Sequence, residues 1–324
     1  MSVPYPFGIG EHSCAENEHL FLNCNQSDGH DPEKLWFHDL PVLNISVLEG
    51  SMVVSIFTAH DCYNQSGEQV SNHSVSIDLS QGPYMFSDTQ NMFTAIGCDT
   101  MGLVSNEKAT YGAACISLCD EMASLADKSS CSGSGCCQTS IPQGLNSLYI
   151  SSLSLFNHKN VSDFNPCGYA FLADRRTFKA SDWKISGLPD GNASDAVIEW
   201  VVETKTCEQV EANTSSYACR NNTNCSYSEN GQGYRCLCKD GFTGNPYLPP
   251  GCRGLSSDST ASILKQILTS VLIGKGILAK ESARTRLGIT HAVVHWACSV
   301  TVKQVVKDSV SPQLLQLLEE LFPL

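Results

Sequence analysis

Cysteine and histidine are the residue types through which this sequence could do chemistry. Seventeen cysteines occur among 324 residues, sixteen before residue 253 and one, Cys298, in the C-terminal tail. His12, Cys14, His19 and Cys24 lie close together, and His291, His295 and Cys298 recur in the tail. Zinc sites use Cys and His at such spacing. An even set of sixteen, in a chain with extracellular features, argues for disulfides instead. Other chemistries lack their residues. No Gly-x-Ser-x-Gly elbow is present. A kinase needs a glycine-rich loop, a strand lysine, a catalytic Asp loop and Asp-Phe-Gly, all absent here, and Gly8-Ile9-Gly10 reads as a turn after Pro6. Nothing marks one carboxylate pair as acid and base. No catalytic residue, cofactor or resident metal is therefore expected.

The densest cysteine pattern runs from Cys207 to Cys252, six cysteines separated by 11, 5, 10, 1 and 13 residues. With Gly233-Tyr234 before Cys236-x-Cys238 and Gly241-Phe242-x-Gly244 after it, this segment resembles an EGF-like module. Under 50 residues cannot bury enough apolar surface to hold a fold, so covalent staples are needed. The resemblance implies the pairs Cys207–Cys225, Cys219–Cys236 and Cys238–Cys252. Some EGF-like modules hold calcium with acidic residues before the first cysteine. Glu203-Thr204-Lys205-Thr206 offers one carboxylate and a lysine, so a structural module without calcium is expected.

Charge divides the chain at the same place. Residues 1–252 hold 12 Lys and Arg against 28 Asp and Glu, net −16, whereas 253–324 carry net +3. So acidic a body repels nucleic acid. Asn-x-Ser/Thr acceptors occur at Asn25, Asn44, Asn64, Asn72, Asn160, Asn192, Asn213, Asn221 and Asn224, all before Cys252, as in a secreted glycoprotein. The opening MSVPYPFGIG has no signal-peptide pattern, and residues 261–279 are interrupted by Lys265, Gln266, Gly274 and Lys275, so no membrane span is expected.

The elements that must carry these residues read as β structure. Leu43, Ile45 and Val47 alternate with Asn44 and Ser46, which predicts a half-buried strand with Asn44 facing out. Glu49-Gly50-Ser51 gives a turn, and Met52, Val54 and Ile56 resume the alternation, predicting a hairpin. Further strands are predicted over 147–155, 169–172 and 196–203. The run from Cys131 to Cys137 is too rich in Gly and Ser for regular structure and reads as a stapled loop, with the adjacent Cys136 and Cys137 bonded to different partners.

YPFGIG (5–10), FLNCN (21–25), FTAIGC (93–98), CSGSGCCQTSIPQGL (131–145) and NPCGYAFL (165–172) together resemble the ectodomain of plant wall-associated receptor kinases. The resemblance covers residues 3–252. It implies a galacturonan-binding cysteine-rich domain over 1–100, a wall-associated cysteine-rich domain over 101–206, the EGF-like module over 207–252 and a tail over 253–324. Members usually begin with a signal peptide and a further cysteine pair before the first motif, so the first domain here is expected to lack a disulfide. The fold class expected is mainly β and disulfide-rich, with a short helical or disordered tail. The implied function is pectin binding in signal transduction at the cell-wall face of the plasma membrane, without a kinase. A polyanion approaching this acidic body needs local cations or bridging calcium. Arg175, Arg176, Lys179 and Lys184, with Phe178 and Trp183 among them, form the densest basic stretch. Arg175, Arg176, Lys179 and Trp183 are the candidate ligand residues, against the alternative of a solvated basic loop. The alternative functions are a truncated product without function and a secreted protein–protein interaction module.

The tail lacks a cysteine ladder. As protein, Ile263–Leu278 and Leu314–Leu321 could form amphipathic helices. Read one base upstream, however, Val271, Ala279, Ala283, Ala292, Val294 and Val306 can all become cysteine, spaced by 7, 3, 8, 1 and 11 residues. Residues 267–271 become Asp-Ile-Asn-Glu-Cys, the opening of a calcium-binding EGF-like module. Residues 253–324 are therefore expected to be out-of-frame translation. Sequencing the transcript through the Cys252 junction checks this: a neighbouring frame unable to encode that opening at codons 267–271 removes the expectation.

Overall fold

The computed structural model describes residues 3–25, 34–119, 131–179, 193–212, 217–231 and 233–254. The chain divides into a unit of Met1–Gly254 and a unit of Leu255–Leu324; the latter, with the tail helices expected there, lies outside the described residues. The described chain is mainly β. Its first strands are β1 (Asn23–Asn25), β2 (Lys34–Phe37), β3 (Leu40–Ser46), β4 (Ser51–Phe57), β5 (Ala59–Tyr63), β6 (Gln69–His73), β7 (Val75–Asp78) and β8 (Tyr84–Phe86). Then follow β9 (Asn91–Ile96), β10 (Thr100–Ser105), β11 (Gly112–Ser117), β12 (Cys136–Thr139), β13 (Ser147–Leu153), β14 (Cys167–Asp174) and β15 (Ala193–Trp200). The last segment holds helix α1 (Cys207–Glu211), β16 (Thr223–Tyr227), β17 (Tyr234–Cys238), β18 (Phe242–Thr243) and β19 (Arg253–Gly254).

Three antiparallel sheets build the body, in the orders β1-β2-β3-β4-β15-β8, β12-β9-β14-β5-β6 and β11-β10-β13-β7. Each mixes strands from before and after residue 100, so the division expected there coincides with no break in the sheets. The third sheet stacks on the second. At Gly102 a Cβ would come within 2.9 Å of Ala95 and 3.0 Å of Phe93, so the missing side chain sets how closely the layers approach. The core between them is continuous from Phe7 and Leu20 through Phe93 and Ile150 to Trp200.

The β3–β4 hairpin forms with one change from the predicted alternation. A bulge between Val42 and Asn44 shifts the register, and Leu43 is left 46% exposed. An extra residue in one strand re-aims the side chains that follow it, which alternation alone does not reveal. Val197 and Ile198 of β15 are both buried, so both faces of this central strand are covered.

Seven disulfides join described cysteines. In β12, Cys136 bonds Cys131 and its neighbour Cys137 bonds Cys115, because successive residues of a strand point to opposite faces. The expected loop is thus stapled, but its end is strand β12, paired with β9. Cys62–Cys167 ties β5 to β14 and Cys98–Cys119 closes the segment that includes β10 and β11. In the last segment the bonds are Cys207–Cys225, Cys219–Cys236 and Cys238–Cys252.

That three-disulfide segment is packed onto the body. Tyr247 is buried with its ring 6.1 Å from Trp200, and its hydroxyl accepts from the Cys236 N–H. Asn230, also buried, donates to the Phe86 carbonyl and accepts from the Gly144 N–H. At Gly233, φ is +124° and a Cβ would lie 2.4 Å from the Glu203 carbonyl, so only glycine fits where the module meets the body.

One buried amide joins the first two sheets. Asn91, at the start of β9, donates to the carbonyls of Val197 (2.7 Å) and Ser87 (2.9 Å) and accepts from the Val197 N–H (2.8 Å). Removing a partner of a buried donor costs about 1–3 kcal/mol beyond the lost packing. Asn91→Ala is expected to lower the unfolding free energy by about 2–4 kcal/mol, as read by denaturant titration, with Asn91→Gln failing to restore it because the longer side chain misplaces the amide.

Candidate ligand-binding site

The motifs near the start build a cleft rather than a metal centre. Gly8 has no room for a side chain: a Cβ would lie 2.4 Å from the backbone of Cys14 and Ala15. Its carbonyl accepts from the Leu22 N–H (2.8 Å) and its N–H donates to the Leu20 carbonyl (3.2 Å), so YPFGIG clamps the segment 20–22. Asn17 caps the short 3-10 turn Glu18–Leu20, accepting from the His19 and Leu20 N–H groups, and donates to the Val202 carbonyl at 2.9 Å. Phe7 packs edge-on against Trp200 at 4.9 Å.

These contacts hold one wall of a cleft of about 200 Å³. Glu18, His19, Phe21 and Asn23 line one side; His38, Gln81, Gly82 and Tyr84 complete it. His38 takes φ +51° in the β2–β3 turn. Tyr84 is buried, its hydroxyl donates to the His19 carbonyl, and burial pushes its phenol far above the ordinary tyrosine range, so it stays protonated. Gly82 allows the Tyr84 ring close: a Cβ would meet that ring at 2.9 Å. One face of Phe21 is covered by the stacked His12 ring at 4.3 Å. The cleft offers amides, imidazoles, one carboxylate and aromatic edges. At less than the ~300–1,000 Å³ that encloses a drug-sized ligand, it has room for about one sugar ring.

In the basic stretch expected to hold the ligand, Arg175, Arg176 and Lys179 are exposed, and the two arginines also make contacts within the chain. Arg176 lies between carboxylates: its guanidinium donates to Asp174 at 2.9 and 3.0 Å and to Glu49 at 3.0 Å. The hydrogen bonds to Asp174, then Glu49, raise its already high pKa. Arg175 is directed to the Met92 sulfur (2.8 Å) and the Asn91 carbonyl (3.5 Å). Lys179 is exposed, and Trp183 and Lys184 lie outside the described residues. The stretch and the cleft share no residue. The cleft residues come from three separated segments and carry no composition signal; the nearest was His19 in the opening Cys/His group.

Among the described residues no three His, Cys, Asp or Glu side chains gather as a metal site. Cys14 is an exposed thiol in none of the seven disulfides. Before Cys207, the Glu203 carboxylate is paired with Lys205 at 2.7 Å. Of the glycan acceptors, Asn44, Asn72, Asn160, Asn221 and Asn224 are exposed. Asn64 is half-buried, its amide nitrogen donating to Glu68 at 2.9 Å. Asn25 ends β1, and Asn192 and Asn213 lie outside the described residues.

Fold and site define a disulfide-rich, mainly β protein with a small polar-aromatic cleft at its surface. Its homologues are the wall-associated receptor kinases of Arabidopsis thaliana. It is 34% identical over 259 residues to wall-associated receptor kinase 2, covering 79% of this chain and 34% of that protein. It is 34% identical over 278 residues to wall-associated receptor kinase 4 and 30% over 270 to wall-associated receptor kinase 1, covering 81% and 82% of this chain. The chain spans about a third of the length of the curated relatives it matches. No protein-family model matches it. No solved structure matches it either.

Because Asp174 is 2% exposed at its side chain, losing its partner strands a buried carboxylate. Arg176→Ala is expected to cost about 1–3 kcal/mol of stability and to leave uronate binding unchanged. Unfolding titration alongside binding to oligogalacturonate reads both; a binding arginine would give the opposite pair of results.

Proposed function

We propose that this chain is the cell-wall-facing ligand-binding region of a receptor, outside the plasma membrane, and that it acts by binding acidic pectic polysaccharide rather than by catalysis. The observation that carries this reading is the cleft, where Asn23, Gln81, His19 and His38 bring hydrogen-bonding groups to the edges of Phe21 and Tyr84. Hydroxyls and a carboxylate on a ring match amide and imidazole donors. The homologues' name, wall-associated, supports the choice of a wall polymer. The family resemblance supports galacturonan as that polymer and the 207–252 module as EGF-like.

The net −16 of residues 1–252 opposes a polyanion at long range. Calcium bridging carboxylates on both partners offsets it. Glu18, 4.0 Å from His19, faces the same cleft and opposes an anion there.

Retention on immobilised polygalacturonate tests the reading. Asn23→Ala or Gln81→Ala is expected to weaken binding about 2- to 12-fold each, the worth of one hydrogen bond. Retention lost entirely on chelation assigns the contact to bridging calcium. Retention insensitive to all cleft substitutions overturns the cleft as the site.

A further inference from the structure

We propose that the open face of the β11-β10-β13-β7 sheet is a self-association surface on which a second copy of this chain docks. Its inner face packs on the second sheet; along its outer face, Met101 lies between Ile116 and Leu153, and Leu103 between Ala114 and Ser151. Tyr149 and Ser105 form the next row. Ile116, Tyr149 and Leu153 are 43%, 45% and 36% exposed, and Leu118, Leu155 and Phe156 beyond the strand ends are exposed as well. The outward positions of β10, β11 and β13 include no charged residue, in a chain of net charge −13; on the edge strand β7 the outward Asp78 is exposed, so the neutral face is that of the three strands β11, β10 and β13.

Glycan placement singles out the same face. All four strands come from residues 75–153, and the sequence has no acceptor between Asn72 and Asn160, although Asn91, Asn106, Asn146 and Asn157 lie in that stretch. The exposed acceptors fall on β3, on β6, in the loop before β14 and in the 207–252 module. The exposed acceptors thus leave the uncharged β11, β10 and β13 face free of sugar.

Charge and shape select the occupant. An acidic polysaccharide finds no cation here, and a partner recognised by charge finds nothing to pair with. Two copies of so acidic a body repel unless they meet where neither carries charge, and a flat neutral face is complementary to itself about a twofold axis. The three uncharged strands, about 4.8 Å apart and about six residues long, give roughly 300 Å² of face. That is well under half of the ~800 Å² per partner in a standard interface, so association is weak and concentration-dependent.

Sedimentation equilibrium of the secreted, glycosylated full chain from about 1 to 500 µM tests this. The weight-average mass of the wild type is expected to climb toward twice the monomer as concentration rises. Leu103→Lys, placing a charge mid-face, is expected to stay monomeric over the same range. So is Tyr149→Asn, which with Ile150 and Ser151 completes a glycan acceptor. Near-ultraviolet circular dichroism confirms that each variant is folded. A wild type monomeric throughout overturns the proposal and leaves the face to a different protein; a dimer that persists in both folded variants overturns it too. Neither outcome bears on polygalacturonate retention through the cleft.

Discussion

The Asn91 side chain does the work of a strand residue. β8 ends at Phe86, and alongside the middle of β15 the next backbone partners are missing. Ser87 supplies an N–H to the Val197 carbonyl, and the Asn91 amide satisfies both the N–H and the C=O of Val197. Buried backbone polar groups must be paired, so β15 can be covered on both faces only while this amide is in place. Asn91 also opens β9, the strand between β12 and β14. One buried side chain therefore fixes the first sheet against the second, and the third stacks on the second at Gly102.

What was legible in the sequence was local. Alternation and the Gly50 turn marked the β3–β4 hairpin, and apolar runs marked the segments of β13, β14 and β15 as strands. Cysteine spacing marked the last module. The bulge at Leu43 was hidden because it depends on the partner strand's register, and the interleaving of strands across residue 100 because pairing between distant segments leaves no local trace. The family motifs carried information of another kind. Gly8, Gly97, Asn165 and Gly168 sit where backbone passes close to backbone or side chain: a Cβ on Gly168 would lie 2.5 Å from the Thr100 hydroxyl, and Asn165 accepts from the Cys98 N–H and donates to the Cys167 carbonyl. They specify architecture, not ligand.

The same distinction explains the basic stretch. A run of arginines suggests an anion site, but sequence does not show which carboxylates fold back beside them. Asp174 is two residues from Arg176, and Glu49 comes from the β3–β4 turn, far away in the chain. Conversely, the cleft draws Asn23, His38 and Gln81 from three segments joined only by folding. Arg176 finds its carboxylate partners within the chain, whereas the cleft is lined by amides and imidazoles beside a single carboxylate.

The packing of the 207–252 module has a mechanical side. Asn245 in that module donates to the Tyr5 carbonyl, and Gly8, three residues on, bridges to Phe21 in the cleft wall. The cleft wall is thereby tied to the stapled module by backbone and amide hydrogen bonds, so displacing Phe21 displaces Gly8, Tyr5 and Asn245 with it, while the disulfides Cys219–Cys236 and Cys238–Cys252 hold the module's own shape.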